Sequence, residues 1–139
     1  MRKVFYRGTV HPWLCDSMGH LSSRYIYIMF DESALHLLNS ATGWSHGKSG
    51  WESAGWVDVR NVIDYAHELT VGSLTKVCAE IVNVGNTSLT VLYELVEIDS
   101  EMPAATMEAT YVFFDLEKRR SMPIHDDMRE SIKAFQASH

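Results

Sequence analysis

SRYIYIMFDESALHLLNSAT, residues 23–42, sets Tyr25, Ile26, Ile28, Met29, Phe30, Leu35, Leu37 and Leu38 on more than one face of a helical wheel, and Gly43 follows at once. That spacing predicts a helix buried on most sides, with the glycine as its stop signal. Ser22 or Ser23 can cap the start by accepting a hydrogen bond from an early backbone N–H.

Around this segment the period of the pattern is two. Val4–Val10 is rich in β-branched and aromatic residues and is closed by Pro12, so it reads as a first strand. Residues 43–55 hold four glycines, two tryptophans and three serines and read as a loop. Past it, Trp56–Ala66, Leu74–Val84, Ser88–Ile98 and Ala104–Asp115 alternate apolar and polar residues, with turn chemistry at 71–73, 85–86 and 99–103. Consecutive strands joined by short turns predict an antiparallel meander, and its apolar face must cover something. The helix is the only large apolar object left. The expected fold is α+β, with about five antiparallel strands, Val4–Val10 among them, wrapped around one long hydrophobic helix. Residues 122–135 read as an extended exit followed by a short helix.

The 139 residues, 46% of them hydrophobic, suffice for one core and one domain. A net charge of −6 and a pI near 5.6 provide no basic field, and the 12 Lys and Arg are scattered, which argues against nucleic acid as a partner. Cys15 and Cys78 lack CxxC spacing and a secretory signal ahead of them, so they read as reduced, buried thiols of a cytoplasmic protein. Asp31 and Glu32 interrupt the one candidate membrane span, and a soluble chain is expected.

Polar chemistry concentrates just ahead of the helix, at Asp16-Ser17-Met18-Gly19-His20. Gly19 allows a sharp turn there. A carboxylate at Asp16 can tie the loop down as an Asx-turn or cap. It can equally act as nucleophile or general base beside a helix N-terminus whose exposed N–H groups favour negative charge and can hold an oxyanion. His20 can position a water or the substrate, or be a loop histidine facing solvent. Asp31 and Glu32 sit mid-helix, where they face a pocket, a neighbouring subunit or a solvent stripe. Metal chemistry finds no support: the seven histidines offer no HExxH, and His67-Glu68 lacks a second histidine at helical spacing. GxSxG, GxGxxG and GxxxxGK[ST] are absent as well.

The layout of Asp16-x-x-Gly19-His20 before a helix with Arg24-Tyr25 and Phe30-Asp31-Glu32 resembles the hotdog-fold acyl-CoA thioesterases of the 4-hydroxybenzoyl-CoA thioesterase type. The segment Val62–Leu74, the turn Gly85-Asn86-Thr87-Ser88 and the closing Arg119-Arg120-Ser121-Met122-Pro123-Ile124 are similar too, so the likeness covers roughly residues 4–125. It implies hydrolysis of a small or medium acyl-CoA, with Asp16 attacking the thioester carbonyl or activating water, the backbone N–H near Ser23 polarising that carbonyl, and His20 assisting. It also implies substrate contacts from Gly19, Tyr25, Asp31, Glu32 and the turn Gly85, Asn86, Thr87, Ser88. No metal or other cofactor is implied, coenzyme A being part of the substrate.

The resemblance further implies a homodimer joined sheet edge to sheet edge, or a homotetramer, with each pocket walled by two subunits; a curled sheet has an edge to cover. Lys118, Arg119 and Arg120 can meet the coenzyme A phosphates or form a charged strand end. Trp13, Trp44, Trp51 and Trp56 are expected to cluster around the loops beside the proposed site, where they can bind an aryl or quaternary ammonium group or pack against the sheet. Leu21-Ser22-Ser23 stands where many relatives carry Asn, and the spacing from Asp16 to Tyr25 is shorter than in the 4-hydroxybenzoyl enzyme, so that substrate is not inherited. Two rivals share the scaffold: a non-catalytic acyl-thioester binding protein, and a hydratase. The second needs an Asp/His dyad, for which Asp16/His20 is one residue short and Asp31/His36 points apart.

Overall fold

The computed structural model describes residues 2–138. Strand β1 (Lys3–Thr9) leads through one turn of 3-10 helix (Pro12–Leu14) to helix α1 (Ser23–Thr42). Strands β2 (Ala54–Tyr65), β3 (Leu74–Val84), β4 (Ser88–Glu97) and β5 (Pro103–Asp115) follow, then the two-residue β6 (Arg120–Ser121) and helix α2 (Asp126–Ala137).

The limits of α1 follow from its ends. Ser22 caps it, its side chain accepting from the Arg24 N–H, and Gly43 closes it in the left-handed region at φ 77°, donating to Asn39 O. Ile26, Met29, Phe30, Ala34, Leu37, Leu38 and Ala41 recur at three and four residues and are buried. Ser33 and Thr42 are buried on the same face, and their hydroxyls donate to Met29 O and Leu38 O one turn back. The opposite face is open: Ile28 is 42% and Leu35 59% exposed. This corrects the expectation of a helix buried on most sides. α1 packs chiefly over β1, β3 and β4, so only one stripe of it meets the sheet.

All strand pairs are antiparallel, in the order β1-β3-β4-β5-β2, with β6 on the end of β5. Only β3, β4 and β5 form a meander. β2 pairs with β5 instead of β3, so residues 66–73 carry the chain from one edge of the sheet toward the other. Alternation marks which face of a strand is buried and is silent about its neighbour, which is why the sequence pattern misplaces β2. β2 is left as an edge strand, with a register shift between Asp58 and Arg60. Most of its residues from Asp58 onward are exposed.

The concave face closes on α1 around Phe30, whose ring lies 6.0 Å from that of Tyr93. The hydroxyls of Tyr93 and Tyr111 are 2.8 Å apart in the core. Burial pushes both phenols well above their ordinary range, so both stay protonated and share one hydrogen bond. Helix α2 seals the far end with Met128, Ile132 and Phe135, and its Arg129 guanidinium donates to Gly85 O and Asn86 O at 2.8 Å. Cys15 and Cys78 are free and half-buried, where full burial was expected: Cys15 lies in the loop before α1, and Cys78 shares the outer face of β3 with Lys76 and Glu80. Among the described residues no helix is long and apolar enough to cross a membrane.

Leu37 has no exposed surface, so Leu37→Ala is expected to cost about 2–5 kcal/mol. A lowered urea midpoint with an unchanged slope checks this.

Candidate functional site

The loop ahead of α1 is built on its own backbone. Cys15 bridges Leu21, Asp16 N–H donates to His20 O at 2.8 Å, and Gly19 N–H donates to Asp16 O at 3.1 Å. Gly19 takes φ 80°, a conformation that costs any other L-residue energy. Asp16 Oδ1 accepts from the amides of Met18 at 2.9 Å and His20 at 3.2 Å. The Asx-turn reading of Asp16 is therefore realised, and one carboxylate oxygen is committed to it.

This loop is stitched to the link between β2 and β3. His20 bridges Thr70, and Leu21 N–H donates to Leu69 O at 2.8 Å. Loop, helix start and link together line an open cavity of about 600 Å³. Its polar wall is Asp16, His20, Ser23, His67, Glu68 and Thr70; its apolar wall is Met18, Leu21, Ile26, Tyr65 and Leu69. His20 Nε2 lies 3.2 Å from Glu68 Oε2.

The start of α1 borders the same cavity through Ser23. Ser22 Oγ accepts from Arg24 N–H at 3.3 Å, and Ser22 O accepts from the Tyr25 and Ile26 amides at 3.0 Å. Ser23, at the first helical position, has no carbonyl one turn back within the helix, so its N–H is the first-turn donor left for a ligand. A fixed carboxylate, an imidazole and an uncommitted helix amide around one cavity suit attack on a carbonyl whose oxygen gains charge.

Of the residues singled out in the sequence, Asp16, His20 and Ser23 line this cavity, with Gly19 in the turn that shapes it. Tyr25 is half-buried against the core, with the Arg24 guanidinium 5.0 Å over its ring, and does not line the cavity. Asp31 and Glu32 lie on the open face of α1, away from it. There Asp58 Oδ2 accepts from Tyr27 Oη at 3.3 Å and from Asn61 Nδ2 at 3.1 Å. Burial first, then the charges of Asp58 and Glu32, raise the Asp31 carboxyl above its ordinary range.

The turn Gly85-Asn86-Thr87-Ser88 is remote. Ser88 faces Val112 on β5, whereas Tyr65 at the cavity faces Ala105, seven positions or about 24 Å along an antiparallel strand. Arg120, opposite Asp115, is ten positions or about 34 Å from Ala105. One chain does not bring these groups to Asp16.

The tryptophans do not gather at the site either. Trp44 is buried and donates to Ala54 O, Trp51 lies under Lys48, and Trp56 packs on Phe113, all in or beside the loop that leads into β2. Trp13 is 69% exposed and stacks on His11 at 4.4 Å. Glu68 and His67 were seen in the sequence only as a failed metal motif. Among the described residues no three His, Cys, Asp or Glu side chains gather as a metal site.

The model of the thioesterase-like superfamily matches residues 10–132. The chain belongs to that superfamily. At that level it is a thioester hydrolase, and its fold is the hotdog fold. A hypothetical protein from Staphylococcus aureus, solved in complex with CoA, superposes with a TM-score of 0.87 at 18% identity over 98% of this chain and 85% of that one. A predicted thioesterase from Bacillus stearothermophilus gives 0.82 at 22% identity over 96% of both chains. A 1,4-dihydroxy-2-naphthoyl-CoA thioesterase from Synechocystis gives 0.81 at 17% over 98% of this chain and 100% of that one. No curated protein matches the chain by sequence.

Two stability outcomes follow from this geometry. Asp16→Asn keeps an acceptor for both loop amides and leaves the melting temperature near wild type, whereas Asp16→Ala costs about 1 kcal/mol; thermal melts compare them. The fold also opposes ionisation of Asp31, a contribution that is favourable while the group is protonated and lost as pH rises through its folded titration. Asp31→Asn should thus be more stable than wild type near neutral pH, with the gap closing in acid, as melts between roughly pH 3 and pH 7 will register.

Proposed function

We propose that this chain is an acyl-CoA thioesterase that hydrolyses a small or medium acyl-CoA, with Asp16 as nucleophile or general base. The supporting observation is that the Asp16 carboxylate, oriented through Oδ1 by two loop amides, shares one cavity with Ser23 at the first turn of α1, where a backbone N–H has no partner within the helix. In the nucleophilic route an Asp16 oxygen bonds to the thioester carbon, the C–S bond breaks, coenzyme A leaves as thiolate, and water cleaves the resulting anhydride. In the base route Asp16 takes a proton from the attacking water and the departing sulfur recovers it. Either way the carbonyl oxygen becomes an oxyanion, which the Ser23 N–H and the helix dipole stabilise. His20 holds the water. The CoA complex of the similar Staphylococcus aureus protein and the CoA ester of the Synechocystis enzyme support coenzyme A as the thiol.

The same reading calls for a second copy. Lys118, Arg119, Arg120 and the Gly85–Ser88 turn lie at the opposite end of β5 from the cavity, too far for one chain to engage both ends of a bound ester as described above. Antiparallel pairing of β2 with β2 of another copy would set the Ala54 end of one strand against the Tyr65 end of the other, delivering those cations and that turn in trans. It would also cover the exposed edge strand. A homodimer is the minimal functional unit on this reading, and a homotetramer contains it.

Release of free thiol from aromatic, short, long and betainyl acyl-CoAs, by wild type and Asp16→Asn in parallel, tests the proposal. Turnover on at least one class, falling about 10²–10⁴-fold in the mutant with the fold intact, is expected. Ester binding without turnover, equal in both proteins, would instead identify a non-catalytic binding protein.

A further inference from the structure

Glu68 reaches the cavity from the link between β2 and β3, and its Oε2 lies 3.2 Å from His20 Nε2. A carboxylate offers only acceptor sites, so at that distance it repels an imidazole lone pair and attracts an N–H. The contact therefore favours the ring form with its proton on Nε2, and a neutral ring then carries its lone pair on Nδ1. Both backbones are held beside the contact: His20 N–H is on Asp16 Oδ1, His20 bridges Thr70, and Leu21 N–H is on Leu69 O. Two segments nearly fifty residues apart are thus fastened on either side of this one side-chain pair.

Resting on the thioesterase reading, we infer that Glu68 is a positioning residue for hydrolysis, fixing the His20 ring so that Nδ1 accepts a hydrogen bond from the attacking water. On this inference Glu68 acts through His20 and not directly on the water or the ester. Its side chain is 72% exposed against 26% for His20, so it can be replaced without disturbing the core.

Glu68→Ala and Glu68→Gln are compared with wild type on the acyl-CoA that turns over fastest, and ¹⁵N spectra of the His20 ring report which nitrogen carries the proton. Glu68→Ala should lower kcat about tenfold while KM stays within about twofold, because the transition state loses an orienting partner and the ground state loses no contact. Its His20 ring should move toward a mixture of tautomers. Glu68→Gln, whose amide oxygen can take the same place beside Nε2, should recover most of kcat and the wild-type spectrum. An active wild type with kcat or the ring spectrum unmoved by Glu68→Ala would overturn the inference and leave the thioesterase reading standing. A rise in KM equal to the fall in kcat would overturn it as well, making Glu68 a substrate contact. A wild type that cleaves no ester would remove the functional reading and this inference together.

Discussion

The Leu21 amide donates to the Leu69 carbonyl, and the His20–Thr70 bridge stands beside it; these contacts hold the candidate site together. One side is the loop that carries Asp16, the other the link between β2 and β3. The link passes here because β2 sits at the outer side of β5 while β3 sits between β1 and β4. Had β2 paired with β3, a tight turn would have sufficed and no wall would face the helix start. Strand order therefore makes the cavity, and the backbone contacts fix its width.

Within that frame the structural and chemical readings of Asp16 are compatible. A carboxylate has two oxygens, and tying one to the Met18 and His20 amides is what orients the other. Ser22 satisfies the next helix amides with its hydroxyl and carbonyl, so the Ser23 N–H has no competition from its own cap. Both effects need only backbone geometry and short side chains. A loop of this size can thus be catalytic and rigid at once.

Much of this was legible in the residues. The ends of α1 were marked by the Ser22-Ser23 pair and Gly43, the strands by their alternation, and the cavity loop by Asp16, Gly19 and His20. The neighbour of β2 was not legible, because a pattern of faces contains no information about lateral order. The exposure of Ile28 and Leu35 was hidden for a related reason: their apolar character was visible, whereas the part of the sheet beneath α1 is settled only by the assembled fold. The tryptophans misled through proximity in sequence, since residues 44 and 51 belong to the loop entering β2, and residue 56 to the first residues of β2, at the end of the sheet away from Asp16. Glu68 gave no signal of its own, because its partner His20 is distant in the chain and only the stitched backbones bring them together.

The separation of Asp16 from the cationic turn along β5 has a genetic consequence under the proposed two-fold pairing. Each site would draw its carboxylate from one chain and its phosphate contacts from the other. A chain damaged at Asp16 and a chain damaged at Lys118, Arg119 and Arg120 would each be inactive alone, yet a mixed pair would rebuild one intact site of its two. Defects of these two kinds would therefore complement in a cell carrying both alleles, whereas two defects of the same kind would not.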